Sequence, residues 1–142
     1  MAESKARPAI RSYEDIEAYQ RAMKLIAAMH AVVKTLPSYE KHDLAAQMRR
    51  ASKSIPANIA EGYARRQSTR EFKHYLRMAM ASANEMEVHL KIAGELDYLS
   101  RNQANEYSKE YNIVGRQLNR LISTWRQLQP PASSLQHLGK RK

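Results

Sequence analysis

Residues 68–93 read STREFKHYLRMAMASANEMEVHLKIA, and the apolar residues of this stretch recur at steps of three and four. That period is typical of a helix with one buried face. Ser68 followed by Glu71 matches a capping box, which marks a helix start. The stripe that we expect in the core is Phe72, Tyr75, Ala79, Ala83 or Ser82, Met86, Leu90 and Ala93. The stretch therefore predicts one long amphipathic helix.

Two segments before this helix have the same period. The first begins with Ser12 and Asp15, a pair that resembles a capping box, and it stops at Pro37, which disfavours helical geometry in the preceding residue. Its predicted stripe is Ile16, Tyr19, Met23, Ile26, Met29 or His30, Val33 and Leu36. The second segment runs from Tyr39 to Arg65. Its predicted stripe is Leu44, Met48, Ala51, Ile55, Asn58 and Gly62.

The last periodic segment begins with Ser100 and Gln103, another capping box, and ends at Leu128 before two prolines. Four helices joined by connections of a few residues must be antiparallel neighbours, because short links cannot cross the length of a bundle. We therefore predict an all-α fold, an antiparallel up-down-up-down four-helix bundle over residues 12–128. Residues 1–11 are predicted to form a flexible basic arm, and residues 129–142 a disordered basic tail.

The composition excludes several functional classes. The chain has no cysteine, which removes disulfides, thiol catalysis and cysteine-ligated metals and fits a reducing cytoplasm. A signal peptide and a membrane span are not expected, since no sufficiently long apolar run occurs. Glu71 and His74 have the Glu-x-x-His spacing of di-iron bundles, but the second pair and the further glutamates are missing. We expect no catalytic residues, no metal and no cofactor.

The formal net charge of +10 favours a polyanionic partner such as RNA or DNA. In an up-down bundle, the end of the second helix and the start of the third lie at one end of the molecule. The candidate nucleic-acid-binding residues are Arg49, Arg50, Lys53, Arg65, Arg66, Arg70, Lys73, Arg77 and Arg126. Acidic residues collect at the opposite end. An alternative is that the basic end docks an acidic protein without nucleic acid.

Residues 44–66, LAAQMRRASKSIPANIAEGYARR, closely resemble the signature of the 23S rRNA intervening-sequence protein family. The segments SYEDIEAYQRAMKL at 12–25 and EFKHYLRMAMASANEMEVHL at 71–90 agree with it. The resemblance implies a four-helix bundle that assembles as a ring, a homopentamer, without a known reaction. Two positions depart from the family pattern, Ala81 and Asp97, where glycine is usual.

Three residues of the second helix are candidates for a structural role. Pro56 removes the amide that would bond the carbonyl of Ser52, so a kink is expected there. Asn58 is predicted to satisfy that carbonyl or to bond across to another helix, and Gly62 to allow close helix approach. The other interpretation is a ligand-binding notch.

Aromatic residues outnumber what one inward stripe needs, which supports an oligomer interface. They are Tyr19, Tyr63, Tyr75, Tyr107, Tyr111 and Trp125.

Overall fold

The computed structural model describes residues 9–125, and within them the chain forms four α-helices and no strand. The helices are α1 (Glu17–Lys34), α2 (Leu44–Ala64), α3 (Thr69–Glu95) and α4 (Arg101–Thr124). Each packs against the next, and α1 packs against α4, which closes the bundle. The predicted all-α up-down bundle is confirmed. None of the helices in the described part is long and apolar enough to cross a membrane.

The chain enters α1 through a separate short turn, which corrects the predicted start of the first helix. Ser12 caps a 3-10 helix, Tyr13–Asp15, by accepting a hydrogen bond from the amide of Glu14 at 2.9 Å, and Asp15 completes the capping box. Ile16 then adopts extended backbone geometry (φ −77°, ψ 122°), which ends the turn. The α-helix therefore begins only at Glu17.

The second helix begins at Leu44, five residues later than the Tyr39 that the sequence predicts. A 3-10 helix, Ser38–Glu40, follows Pro37 and fills the gap. A carboxylate oxygen of Glu40 accepts the hydrogen bond from the amide of Leu44 at 3.1 Å, so Glu40 caps α2 from four residues upstream. The hydroxyl of Tyr98 donates to the same carboxylate at 2.7 Å and ties this cap to the end of α3.

The two later caps agree with the sequence to different degrees. Ser100 and Gln103 form the complete capping box of α4. At α3, the Ser68 hydroxyl accepts from the amide of Glu71 at 3.1 Å, but the Glu71 side chain bonds Arg65 in place of the reciprocal contact. Trp125 follows the last residue of α4, and the predicted extension to Leu128 lies outside the described residues.

The buried residues of α3 match the predicted stripe at all but one position. Those of α1 match it only in part. On α3, Leu76 is fully buried and Tyr75 is only half-buried. On α1 the buried residues are Ala18, Ala22, Leu25, Met29 and Val32. Ile16, Met29 and Leu36 are buried as predicted. Between them the buried face is displaced by one residue from the predicted stripe, and Met23 is 46% exposed. Ala18 and Ala22 take the buried positions that were predicted for Tyr19 and Met23. Because alanine is small, neighbouring helices can pack closely against α1 there.

The aromatic residues offered as interface residues are mostly internal. Tyr111 is completely buried, and Tyr63 and Trp125 are buried. Tyr19 and Tyr107 are half-buried against the core, and Tyr75 is half-buried. Phe72 contacts Trp125 edge to face with ring centroids 4.5 Å apart. Tyr63, Tyr111 and Trp125 therefore serve the packing of the bundle itself.

Asp97, which stands where the family pattern has glycine, lies in the turn that ends α3. The amide of Tyr98 donates to the carbonyl of Ala93 at 2.9 Å, and the amide of Asp97 donates to Gly94 at 3.1 Å, which is a Schellman motif. The motif places its fifth residue in the left-handed region, and Asp97 has φ 60°. A side chain in that region is strained, whereas glycine is not.

We predict that Asp97→Gly raises the free energy of unfolding by about 0.5–1 kcal/mol, because it removes this strain. Asp97→Ala is the matched control and should lower it, since alanine lacks the short polar side chain that makes aspartate tolerable there. Urea denaturation followed by circular dichroism measures both changes. Equal stability of the glycine and alanine variants would contradict the assignment of strain.

Candidate nucleic-acid interface

The turn between α2 and α3 is built on a close approach of the two helices at Gly62. A Cβ placed on Gly62 would lie 2.7 Å from the Cβ of Tyr75 and 3.2 Å from both the ring and the carbonyl oxygen of Phe72. Real Cβ atoms do not approach other atoms to 2.7 Å. The absence of a side chain at Gly62 therefore allows α2 to end directly against α3, and it fixes where Arg65 and Arg66 emerge.

Arg65 caps the end of α2, and its charge is compensated by two carboxylates. Its Nε donates to Glu61 at 2.8 Å, its Nη1 donates to Glu71 at 3.2 Å, and its guanidinium lies 5.4 Å from the ring centre of Tyr75. The hydrogen bonds to Glu61 and Glu71 raise the pKa of Arg65 above its ordinary value. Arg65 therefore links α2 to α3. The i,i+4 spacing of Glu61 and Arg65 was the sequence signal for this pairing.

Arg66 is held against the bundle by an aromatic ring. Its guanidinium carbon lies 4.1 Å from the ring centre of Tyr63, within the range of a cation–π contact. Its Nη1 also donates to the carbonyl oxygen of Tyr63 at 3.1 Å. No carboxylate among the described residues pairs with Arg66. Its position is thus fixed while its positive charge stays uncompensated.

Three further cations, Arg70, Lys73 and Arg77, line the first part of α3. Their spacing of three and four residues places them on one side of the helix. Arg70 and Arg77 are exposed and Lys73 is half-buried. Within residues 9–125 none of the three forms an ion pair or a hydrogen bond through its side chain. This set, together with Arg66, is named the basic turn.

The other predicted nucleic-acid-binding residues do not lie at the turn between α2 and α3, so the nine candidates do not form one site. Arg49, Arg50 and Lys53 lie in the first half of α2, about 18–24 Å along the helix from Arg65 at 1.5 Å per residue. Arg49 donates to the carbonyl oxygen of Lys41 at 3.0 Å. Arg126 lies outside the described residues.

Arg50 is bound by an acidic residue of α3. Its Nη2 donates to Glu85 at 2.6 Å, and the same carboxylate oxygen bonds His89 at 2.9 Å. Burial raises the pKa of Glu85, but the hydrogen bonds with His89 and Arg50 outweigh it and leave the pKa below its ordinary value. Glu85 therefore stays ionised and holds the charge of Arg50 against α3.

Asn58 takes neither of the two roles that the sequence suggested. Its Nδ2 donates to the carbonyl oxygen of Ser54 at 2.8 Å, within the same helix and away from the Ser52 carbonyl. The polar contact across to α3 comes from the hydroxyl of Ser54, which hydrogen-bonds the hydroxyl of Ser82. The helix α2 is continuous through the buried Pro56.

The Glu71 and His74 pair does not belong to a larger cluster of ligands. Glu71 bonds Arg65, and the ring of His74 packs edge to face on Tyr75 with centroids 5.2 Å apart. In the described part of the chain, no three histidine or acidic side chains are grouped in a way that could hold a metal ion.

Comparison with known proteins gives the chain a family and a structural neighbour. A family model described as 23S rRNA-intervening sequence protein matches residues 14–120. A protein of unknown function from the S23 ribosomal protein family of Bacteroides thetaiotaomicron VPI-5482, solved by crystallography at 1.70 Å, is 24% identical, with a TM-score of 0.67. The alignment covers 74% of this chain and 97% of that one, and it shows a shared fold. No curated protein matches the chain.

We predict that Gly62→Ala lowers the free energy of unfolding by about 1–3 kcal/mol, because the added methyl group forces Tyr75 and Phe72 to move. Gly115→Ala is the matched control. Gly115 also lies inside a helix, but a Cβ there meets no atom within 4 Å, so this change should raise stability by about 0.5–1 kcal/mol. Urea denaturation measures both. A Gly62→Ala protein as stable as the parent would contradict the close approach.

Proposed function

We propose that this chain, which belongs to the 23S rRNA-intervening sequence protein family, is a non-enzymatic, oligomeric protein that binds the phosphate backbone of RNA or DNA through its basic turn. The observation that carries the proposal is the row of unpaired cations on α3. Arg70, Lys73 and Arg77 extend over about 10 Å of helix at 1.5 Å per residue. Successive nucleotides of one duplex strand rise about 3.4 Å, so the row reaches about three of them.

The start of α3 adds to the attraction. The hydroxyl of Ser68 already accepts from the amide of Glu71, so what the helix start contributes is its dipole, which places a partial positive charge there. Arg70 lies in the first turn of α3, where this partial charge is located. Phosphate groups bind at such positions. The partial charge of the helix and the guanidinium of Arg70 therefore attract the same anion.

The aromatic residues of the turn favour phosphate contacts over base stacking. Proteins that bind single strands present open aromatic faces on which bases stack. Here the guanidinium groups of Arg66 and Arg65 already lie over the rings of Tyr63 and Tyr75. A base would have to displace a cation to reach either ring. Recognition is therefore directed at the backbone and shows little sequence preference.

Assembly supplies the affinity that one small patch lacks. The family resemblance suggests a ring of five copies, which would bring five basic turns together. Contacts made after the first one are intramolecular, so overall affinity rises without any base-specific contact. The proposal places the protein in the cytoplasm, in keeping with the lack of cysteine, and assigns it no catalytic residue and no cofactor.

We predict that Arg70→Gln, Lys73→Gln and Arg77→Gln combined weaken binding to duplex RNA or DNA. The slope of log K against log salt should fall by about 0.9 for each phosphate contact removed, or about 2–3 in total. Fluorescence anisotropy at several salt concentrations measures this slope. Circular dichroism and light scattering should show unchanged helicity and mass.

The matched control removes three exposed lysines from the opposite half of the bundle, Lys41→Gln, Lys91→Gln and Lys109→Gln. Both variants lose three positive charges, so a general effect of net charge would weaken both equally. The proposal requires the basic-turn variant alone to lose most of its affinity. Equal losses, or a parent protein that binds neither RNA nor DNA at low salt, would contradict it. The second result would favour docking of an acidic protein.

A further inference from the structure

Two exposed arginines of α4, Arg116 and Arg120, lie outside the basic turn and have no acidic partner. Neither forms an ion pair with any residue of the range 9–125. Residues 111–125 contain no aspartate and no glutamate, so this half of α4 is positively charged. The Nε of Arg116 donates to the Oδ1 of Asn112 at 2.9 Å. That contact holds the guanidinium group in place without neutralising it.

The packing of α4 on α3 places these arginines at the height of the basic turn. The ring of Phe72 contacts the ring of Trp125 with centroids 4.5 Å apart. The two helices run antiparallel, so a step forward along α3 corresponds to a step back along α4. Arg77 lies five residues after Phe72, and Arg120 lies five residues before Trp125. Arg77 and Arg120 are therefore level with each other.

A second contact between the helices shows that the two sets of cations face the same side of the bundle. The Nδ2 of Asn112 donates to a carboxylate oxygen of Glu87 at 3.5 Å, so both residues border the outer groove between α3 and α4. Arg116 and Arg120 follow Asn112 at steps of four, which keeps them on that side of α4. Lys73 precedes Glu87 by about four complete turns of α3, which keeps it on that side of α3.

The cations along this groove form two rows with no free carboxylate between them. Glu71, the acidic residue within the first row, bonds Arg65 on the side of α3 that faces α2. Glu87 lies beyond the end of the rows and is bonded by Asn112. The two rows together are named the α3–α4 face. They consist of Arg70, Lys73 and Arg77 on α3, and of Arg116 and Arg120 on α4.

The spacing of the rows and the lack of open aromatic rings favour a duplex over a single strand. The axes of packed helices are about 8–10 Å apart, and the grooves of B-form DNA are about 6 and 12 Å wide. Rows at a comparable separation can contact the phosphates on both sides of one groove. Phe72 and Trp125, the rings that lie between the helices here, are buried, so they offer no surface on which bases could stack.

We propose that the α3–α4 face binds a nucleic-acid duplex across one of its grooves, with the α3 row on the phosphates of one strand and the α4 row on those of the other. The inference rests on the proposed function. It extends the binding site to Arg116 and Arg120, and it narrows the partner to a double-stranded nucleic acid. The contacts are to phosphates, so they position the duplex and do not read its sequence.

The experiment removes the α4 row with the double change Arg116→Gln and Arg120→Gln. The slope of log K against log salt for a duplex should fall by about 0.9 for each phosphate contact, or about 1.8 for both. The matched control is Lys91→Gln with Lys109→Gln, which removes two exposed charges from α3 and α4 beyond Glu87 and should leave the slope unchanged. Circular dichroism checks the fold. Arg120→Gln alone, with an expected loss of about 0.9, replaces the double variant if that does not fold.

A single strand of the same sequence and length tests the assignment of one row to each strand. One strand cannot lie along both rows in this arrangement, so the α4 variant should lose affinity for the duplex and keep most of its affinity for the single strand. Equal losses for the two ligands overturn the assignment. An unchanged duplex slope overturns the role of α4 and leaves the proposed function standing, because the α3 row is measured by its own variant. A parent that binds no nucleic acid overturns both.

Discussion

The approach of α2 to α3 at Gly62 is the constraint on which the candidate site depends. With no side chain on Gly62, the end of α2 lies against Phe72 and Tyr75, and Phe72 in turn packs on Trp125 beyond α4. The turn that follows is short because the two helices already touch. Arg65 then reaches both Glu61 and Glu71 and joins the helices by charge as well as by packing. The cations farther along α3 are left to face outward.

The sequence predicted the four helices well, but it predicted less well which face of each helix is buried. The three-and-four period, the capping pair at Ser100 and Gln103, and short connections were sufficient for the bundle, because each is a local signal. The predicted stripe of α1 was partly wrong, because a choice based on large apolar residues favoured Met23 over Ala22. In the structure Ala18 and Ala22 are buried instead, because their small side chains allow neighbouring helices to approach closely. That distance is a property of the packed bundle, which one helix alone cannot reveal.

The ion pairs of the candidate site were also only partly predictable from the sequence. The sequence identifies which residues are basic, but not which carboxylate neutralises each. The pairing of Arg65 with Glu61 follows from spacing on one helix, whereas that of Arg50 with Glu85 joins residues 35 positions apart and depends on how α2 and α3 align. Of the nine predicted residues, those left without a carboxylate near the turn are Arg66, Arg70, Lys73 and Arg77. Near the turn, the structure thus leaves one short group of cations without carboxylate partners.

Cyclic symmetry connects this row to the proposed assembly. Copies related by rotation about one axis would present the same feature at the same height along that axis, so the proposed ring would carry its basic turns in one circle. A polyanion that follows this circle would meet repeated cationic rows, an arrangement suited to backbone contacts that do not read sequence.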